Sequence, residues 1–396
     1  MTGGTAGNTV AGRLAEIPGI SVLVIEAGKS SYGVKAISTP ALATSLVESE
    51  YDWQYQATLV DRPDFKRVEN AVTRGKVLGG SSSLNYYSWH RGTAAQYNEW
   101  ELYGGKTWNW EACKPYFSKS TTVNTTSKPS LLPITLTNVG SNGPVKLRIV
   151  DPAPLGDAVV KAWVSKGYPL ANDIFNGFAI GLTHLVASVD DGIRWSSVSF
   201  LEDKSNISVL TETKVSKIIL EDQPSSGSGD KYKATGVEIL GGKIIKAKKE
   251  VIVSGGVFES PHLLMLSGIG PKEELEKHGI ECKVNSPHVG KNLQEHVIMP
   301  QVFRLKEGSS LDTWYRPGPQ LDSATRQYDE FKTGPLASPI LEFSGYMRID
   351  ERLALCPAYV LAKEKNGGKD PLGPNGTPHF EFDFVVCPTC PIMETE

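Results

Sequence analysis

Apolar positions recur at three- and four-residue steps over Gly7–Ile17, at Val10, Leu14 and Ile17, which predicts a helix closed by Pro18-Gly19. Ser21–Glu26, SVLVIE, is a short continuous apolar run, the pattern of a parallel strand buried on both faces. Residues 27–73 read as mixed loops and short elements, and Trp108–Phe117 as an aromatic-anchored helix entry. Segment 121–143 is rich in Thr, Ser, Asn and Pro and reads as a loop or domain crossing. Val209–Leu220 and Ala234–Leu240 are expected as strands joined through the tip at 225–231, and Lys243–Ser254 as a further strand pair running into VIVSGG. Helical signals follow at Pro261–Leu266 and Pro271–His278. A turn-rich loop spans 366–378, and the alternation FEFDF after His379 predicts a strand. No internal repeat is present.

Composition narrows the class. With 396 residues, 40% hydrophobic and 21% charged, the chain suits two compact domains of an ordinary globular protein. A net charge of −3 without a long basic block argues against nucleic acid or an anionic membrane surface as partner. No apolar run approaches the roughly 18 residues of a membrane span. No signal peptide is visible, so localisation stays open, with the cytoplasm as the default. The five cysteines are odd in number and lack framework spacing. Cys387-Pro388-Thr389-Cys390 stands alone, with neither a second C-x-x-C for zinc nor thioredoxin-like surroundings, and no metal site is assigned. Asn124, Asn206 and Asn375 open N-x-[ST] sequons, about as many as chance supplies.

The chemistry sits in two glycine-rich stretches. Gly3-Gly4-Thr5-Ala6-Gly7 is an incomplete G-x-G-x-x-G, with Thr2 at the first glycine position. Gly4 and Gly7 let backbone approach a pyrophosphate at the N-terminus of the following helix. Glu26 ends the next strand nineteen residues past Gly7, the offset at which an acid accepts hydrogen bonds from ribose hydroxyls. Loop, helix and strand make the last parts of a βαβ unit whose opening strand is missing. The second stretch, Gly75–Asn85, presents Gly79, Gly80, Ser81, Ser82 and Ser83 in succession, a concave run suited to an anion or a polar ring edge. Its flanks, Val77-Leu78 before and Leu84 and Trp89 after, are core-type residues, which a flexible linker would not carry.

Gly75–Asn85, with Trp89, Gly92 and Asn98, resembles the first signature of the glucose–methanol–choline (GMC) oxidoreductases, and Gly256–Gly270, GVFESPHLLMLSGIG, is similar to the second. Val257 departs from the small residue usual there, a change that would crowd the flavin. Tyr51-Asp52-Trp53, Trp108–Phe117, Gly192–Ser197, Val289–His296 and Thr333–Leu336 are also family-like, so the resemblance spans the chain. It implies an α/β fold in which a Rossmann-like FAD-binding domain, 1–120 and 205–300, carries an inserted α+β substrate-binding domain, 121–204 and 301–396. The activity implied is hydride transfer from a small-molecule alcohol, a CH–OH donor, to flavin N5. The implied cofactor-binding residues are Gly4, Thr5, Ala6, Gly7, Glu26, Ala27, Val77, Gly80, Ser82, Asn85, Tyr86, Tyr87, Ser88 and Val215, the last through its backbone at the adenine. Leu84 stands where some members bear a His covalently linked to FAD, so non-covalent FAD is expected.

The resemblance also implies truncation at both ends, because the family's catalytic His lies beyond the region matched here. The seven histidines (90, 184, 262, 278, 288, 296, 379) match no catalytic position, and the catalytic residue is left unknown. Family members are often secreted. Two alternatives stay open: a non-redox lyase or cyclase of the same fold with structural FAD, and an inactive remnant. The particular alcohol, oxidase versus dehydrogenase chemistry, and the oligomeric state are not assigned.

Overall fold

The computed structural model describes residues 2–60, 63–64, 68–125, 132, 134–151, 154–223, 231–306 and 308–385. The Cys387–Cys390 pair and the 225–230 tip lie outside them. The chain divides into two compact units.

The first unit comprises Met1–Ile37, Ser45–Leu84 and Ser196–Phe303. Its helix α1 (Thr5–Leu14) starts without a side-chain cap, because its N-cap residue, Gly4, has no side chain, and its first turn holds no acid. Ala11 turns into a core shared with Val22, Val24, Leu78, Val198 and Leu201. Next to it, a Cβ at Gly12 would meet the Phe200 carbonyl oxygen at 2.4 Å, so this helix face lies backbone to backbone on the Ser197–Phe200 turn. Strand β1 (Val22–Ile25) pairs in parallel with β2 (Ile207–Leu210), from Val22↔Ile207 to Ile25↔Leu210.

The strand expected over Val209–Leu220 is two strands. The chain leaves β2 at residue 211, takes a positive φ of 52° at Glu212, and resumes as β3 (Val215–Asp222), antiparallel to Tyr232–Ile239. The break has a physical cause: the Glu212 and Thr213 amides donate to the carbonyls of Gly28 (2.8 Å) and Glu26 (2.9 Å), so these polar residues cap the end of β1 and cannot extend a ladder. The strand expected at VIVSGG carries no ladder either. Ser254 is met by Thr2, whose amide donates to Ser254 Oγ at 3.3 Å and whose hydroxyl donates to the Ser254 carbonyl. Helix α2 (Gly256–Leu266) follows, starting five residues before the expected Pro261.

The second unit comprises Ser38–Thr44, Asn85–Trp195 and Arg304–Glu396. Residues 85–120 group here and not with the first unit as expected, and 196–204 group with the first. Two backbone hydrogen bonds explain the former: Trp89 N–H to Val186 O (2.9 Å) and Ala94 N–H to Gly177 O (2.8 Å). A capping box of Thr93 and Gln96 starts the Ala94–Gly104 helix, and Asn109 accepts from the Ala112 amide (3.0 Å) to start Trp110–Ser120. The expected FEFDF strand forms at Phe380–Val385 and pairs with Leu341–Met347, which pairs in turn with Gly181–His184. Leu182, Phe343, Val160 and Trp163 pack beneath this sheet.

Among the described residues, one cluster of His, Asp and Glu has ligand atoms close enough to hold a metal: Asp350, Asp370 and His379. Its ligands are already committed. Arg348 grips both Asp350 oxygens (2.6 and 2.9 Å) and Asp370 (2.9 Å), while His379 bonds Asp370 through Nε2 (2.9 Å) and accepts from the Ile349 amide through Nδ1 (3.1 Å). The knot is therefore a structural tie, and Arg348→Ala is expected to destabilise the protein by about 2 kcal/mol in urea unfolding, since charged hydrogen bonds are lost. An unchanged midpoint would refute that role.

Candidate active site

In the first unit a cleft of about 440 Å³ opens at the N-terminus of α1. Of the residues named from sequence, Gly4, Thr5, Ala6, Glu26, Ala27, Gly80 and Val215 line it together. Gly7 lies behind the cleft, where a Cβ would sit 1.8 Å from the Thr2 carbonyl oxygen. Val77 is buried with Ile37, Leu46 and Leu84, so Leu84 is a core residue of this unit. Asn85, Tyr86, Tyr87 and Ser88 belong to the second unit. There Tyr87 is buried, its hydroxyl donates to Pro40 O (2.8 Å), and the Arg194 guanidinium lies 3.9 Å from its ring centroid while donating to Asn85 Oδ1 (2.8 Å).

The two glycine loops touch. Gly79 N–H donates to Gly3 O (2.7 Å), and a Cβ at Gly80, where φ is +54°, would stand 2.7 Å from Gly4 Cα. Ser82, expected at the flavin, acts as a latch: its hydroxyl donates to Gly79 O (2.6 Å) and accepts from the Ser197 amide (3.0 Å). Ser197 also receives the Asn8 side-chain amide (3.2 Å). Reading the sequence missed Ser197 as a site residue, although the family-like run Gly192–Ser197 ended on it.

Glu26 is buried at the end of β1, and burial pushes its carboxyl up to about 7 against the opposing pull of the Gly28, Gly3 and Ala27 amides. Gly28 N–H donates to Glu26 Oε1 at 2.9 Å. An uncapped helix N-terminus, a buried carboxyl and a loop too tight for any Cβ thus share one cleft. That inventory fits a dinucleotide: amides for pyrophosphate, a carboxyl for ribose, and close backbone approach.

None of the seven histidines lines the cleft. His262 and His278 sit on helix surfaces beside Glu259 (3.4 Å) and Glu274 (3.3 Å). His296 is exposed. His90 meets the Tyr346 hydroxyl at 3.0 Å, and burial holds its imidazole down at about 4.

The cleft and its strand–helix frame are those of a Rossmann-like dinucleotide-binding domain. The family model described as GMC oxidoreductase matches residues 2–298, and the chain belongs to that family, whose members are FAD-dependent. It is 31% identical over 407 residues to pyranose dehydrogenase 3 of Leucoagaricus meleagris, covering 97% of this chain and 62% of that protein. Human mitochondrial choline dehydrogenase is 36% identical over 310 residues, 74% of this chain and 49% of the relative. Formate oxidase of Aspergillus oryzae RIB40 superposes with a TM-score of 0.88 at 41% identity, over 97% of this chain and 67% of that one. The chain thus spans 49% to 62% of the length of these two curated relatives. Among the described residues no helix is long and apolar enough to cross a membrane.

Proposed function

We propose that the first unit binds FAD non-covalently in the α1 cleft and that the protein oxidises a small CH–OH-type donor. What carries the reading is the convergence of α1, Glu26 and the Gly79–Gly80 loop on one cleft. When bound, FAD supplies the hydride acceptor. The α1 amides hold the pyrophosphate at the helix's positive end. Glu26 accepts hydrogen bonds from the ribose hydroxyls and would repel a 2′-phosphate. Ser82 and Ser197 lock the two loops so that their amides stay aimed. Leu84, apolar and packed in the core, has no atom to bond the flavin.

Formate is the second reading for the donor, supported by the 41% identity to formate oxidase. The test is to purify the chain, record flavin absorbance, and precipitate with acid. A yellow protein releasing FAD into the supernatant is expected. Colour staying with the pellet would overturn non-covalent binding, and a folded protein that stays colourless after incubation with FAD would overturn the cofactor reading. Alcohols, sugars, choline and formate can then be compared for anaerobic bleaching.

A further inference from the structure

We infer that Asn375–Gly376 is a site of self-modification, where the side-chain amide cyclises to a succinimide and the product loosens the Arg348 knot. The chain holds four Asn-Gly pairs: Asn142–Gly143, Asn176–Gly177, Asn366–Gly367 and Asn375–Gly376. In each, the amide that follows the Asn has no Cβ beside it to hinder ring closure. Folding tells the four apart. Gly143 is buried, and its N–H donates to Thr121 O (3.0 Å). Asn176 is held through its side-chain oxygen by the Phe178 amide (2.8 Å), and Gly177 is buried. Gly367 N–H donates to Glu364 O (3.1 Å), while Asn366 Nδ2 donates to Lys369 O (3.4 Å).

Asn375–Gly376 has none of these ties. The pair forms the centre of the Pro374–Thr377 turn, whose closing bond runs from Thr377 N–H to Pro374 O (3.0 Å) and leaves the Gly376 amide out. Among the described residues, neither that amide nor the Asn375 side chain has a hydrogen-bond partner. Asn375 is exposed. At Gly376, where φ is +91°, a Cβ would meet nothing within 4 Å, so the turn has room to rotate.

On losing its proton, the Gly376 nitrogen bonds to Asn375 Cγ, and the Cγ–Nδ2 bond breaks to release ammonia. Water then opens the ring. Attack at Cγ gives aspartate, and attack at the main-chain carbonyl gives isoaspartate, which adds a carbon to the backbone and frees a carboxylate. Two residues on, Thr377 is buried, its hydroxyl lies 3.3 Å from that of Thr93, and its carbonyl accepts from Arg348 Nη1 (2.6 Å). A backbone lengthened at residue 375 displaces that carbonyl, and the knot of Arg348, Asp350 and Asp370 loses an anchor.

The test is to hold the purified chain at mildly alkaline pH, folded or in urea, and follow the four sites by peptide mass spectrometry with an isoaspartate assay. In the folded chain Asn375 is expected to react about tenfold faster than the other three, each of which must first break a hydrogen bond. In urea the four rates should converge, because the local chemistry is shared and the folded ties are gone. Glutamine closes its larger ring far more slowly. Asn375→Gln should therefore stay unmodified and keep its unfolding midpoint after incubation, whereas the wild-type midpoint falls in step with isoaspartate. No preference for Asn375 in the folded chain, or the same preference in urea, overturns the site. An unchanged midpoint in wild type that carries isoaspartate overturns the link to the knot.

Discussion

Gly80→Ala is expected to abolish measurable FAD binding and to lower the stability of the first unit by about 3 kcal/mol or more. Two costs combine. Residue 80 has φ +54°, where a Cβ brings about 1–2 kcal/mol of strain. The added carbon would also stand 2.7 Å from Gly4 Cα, a backbone atom that no rotamer change can move. Relief requires the two loops to separate, which breaks the Gly79–Gly3 hydrogen bond and turns the α1 amides away from their ligand. Gly19 provides the control. Its φ is +77°, yet a Cβ there meets nothing within 4 Å, so Gly19→Ala should cost only the conformational strain and leave FAD binding intact. Equal losses in the two variants, by urea unfolding and FAD titration, would show that strain alone accounts for the effect and that loop contact is irrelevant.

Glu26→Gln is expected to act with opposite signs on stability and on cofactor affinity. In the folded, cofactor-free protein Glu26 keeps its proton to about pH 7, whereas its ordinary value is 4.5. The native state therefore binds more protons than the unfolded chain between those limits. Its stability contribution is fullest below pH 4.5 and declines as pH rises to about 7, by about 3 kcal/mol in all. The Gln variant removes this dependence, matching wild type near pH 4 and exceeding it at pH 8. FAD affinity should fall about tenfold, because an amide oxygen accepts one ribose hydroxyl less well than a carboxylate accepts two. Parallel stability profiles for the two proteins across pH 4–8 would eliminate Glu26 as the titrating group.

Local pattern and spacing were enough to locate a helix after the first glycine loop, expected over Gly7–Ile17 and formed at Thr5–Leu14, the strand ending near Glu26, and the two glycine loops, because each is encoded by neighbours in sequence. Periodicity selects a helix face, a continuous apolar run selects a buried strand, and a glycine run permits what a Cβ would forbid. Tertiary structure alone decided the rest. Ser197, over a hundred residues from Ser82, became the latch between loops through hydrogen bonds that no local pattern specifies. The expected strand over Val209–Leu220 split where Glu212 and Thr213 gave their amides to the end of β1 instead of to a ladder. Asn85–Ser88, continuous with the second glycine loop in sequence, joined the other unit because Tyr87 finds its core there with Leu185 and Val189. Trp53, in a family-like run, and Tyr55 meet Lys214 and Glu259 only once the chain is folded. In each case the deciding partner lies far along the chain, and its contribution exists only once loop closure has brought the two together.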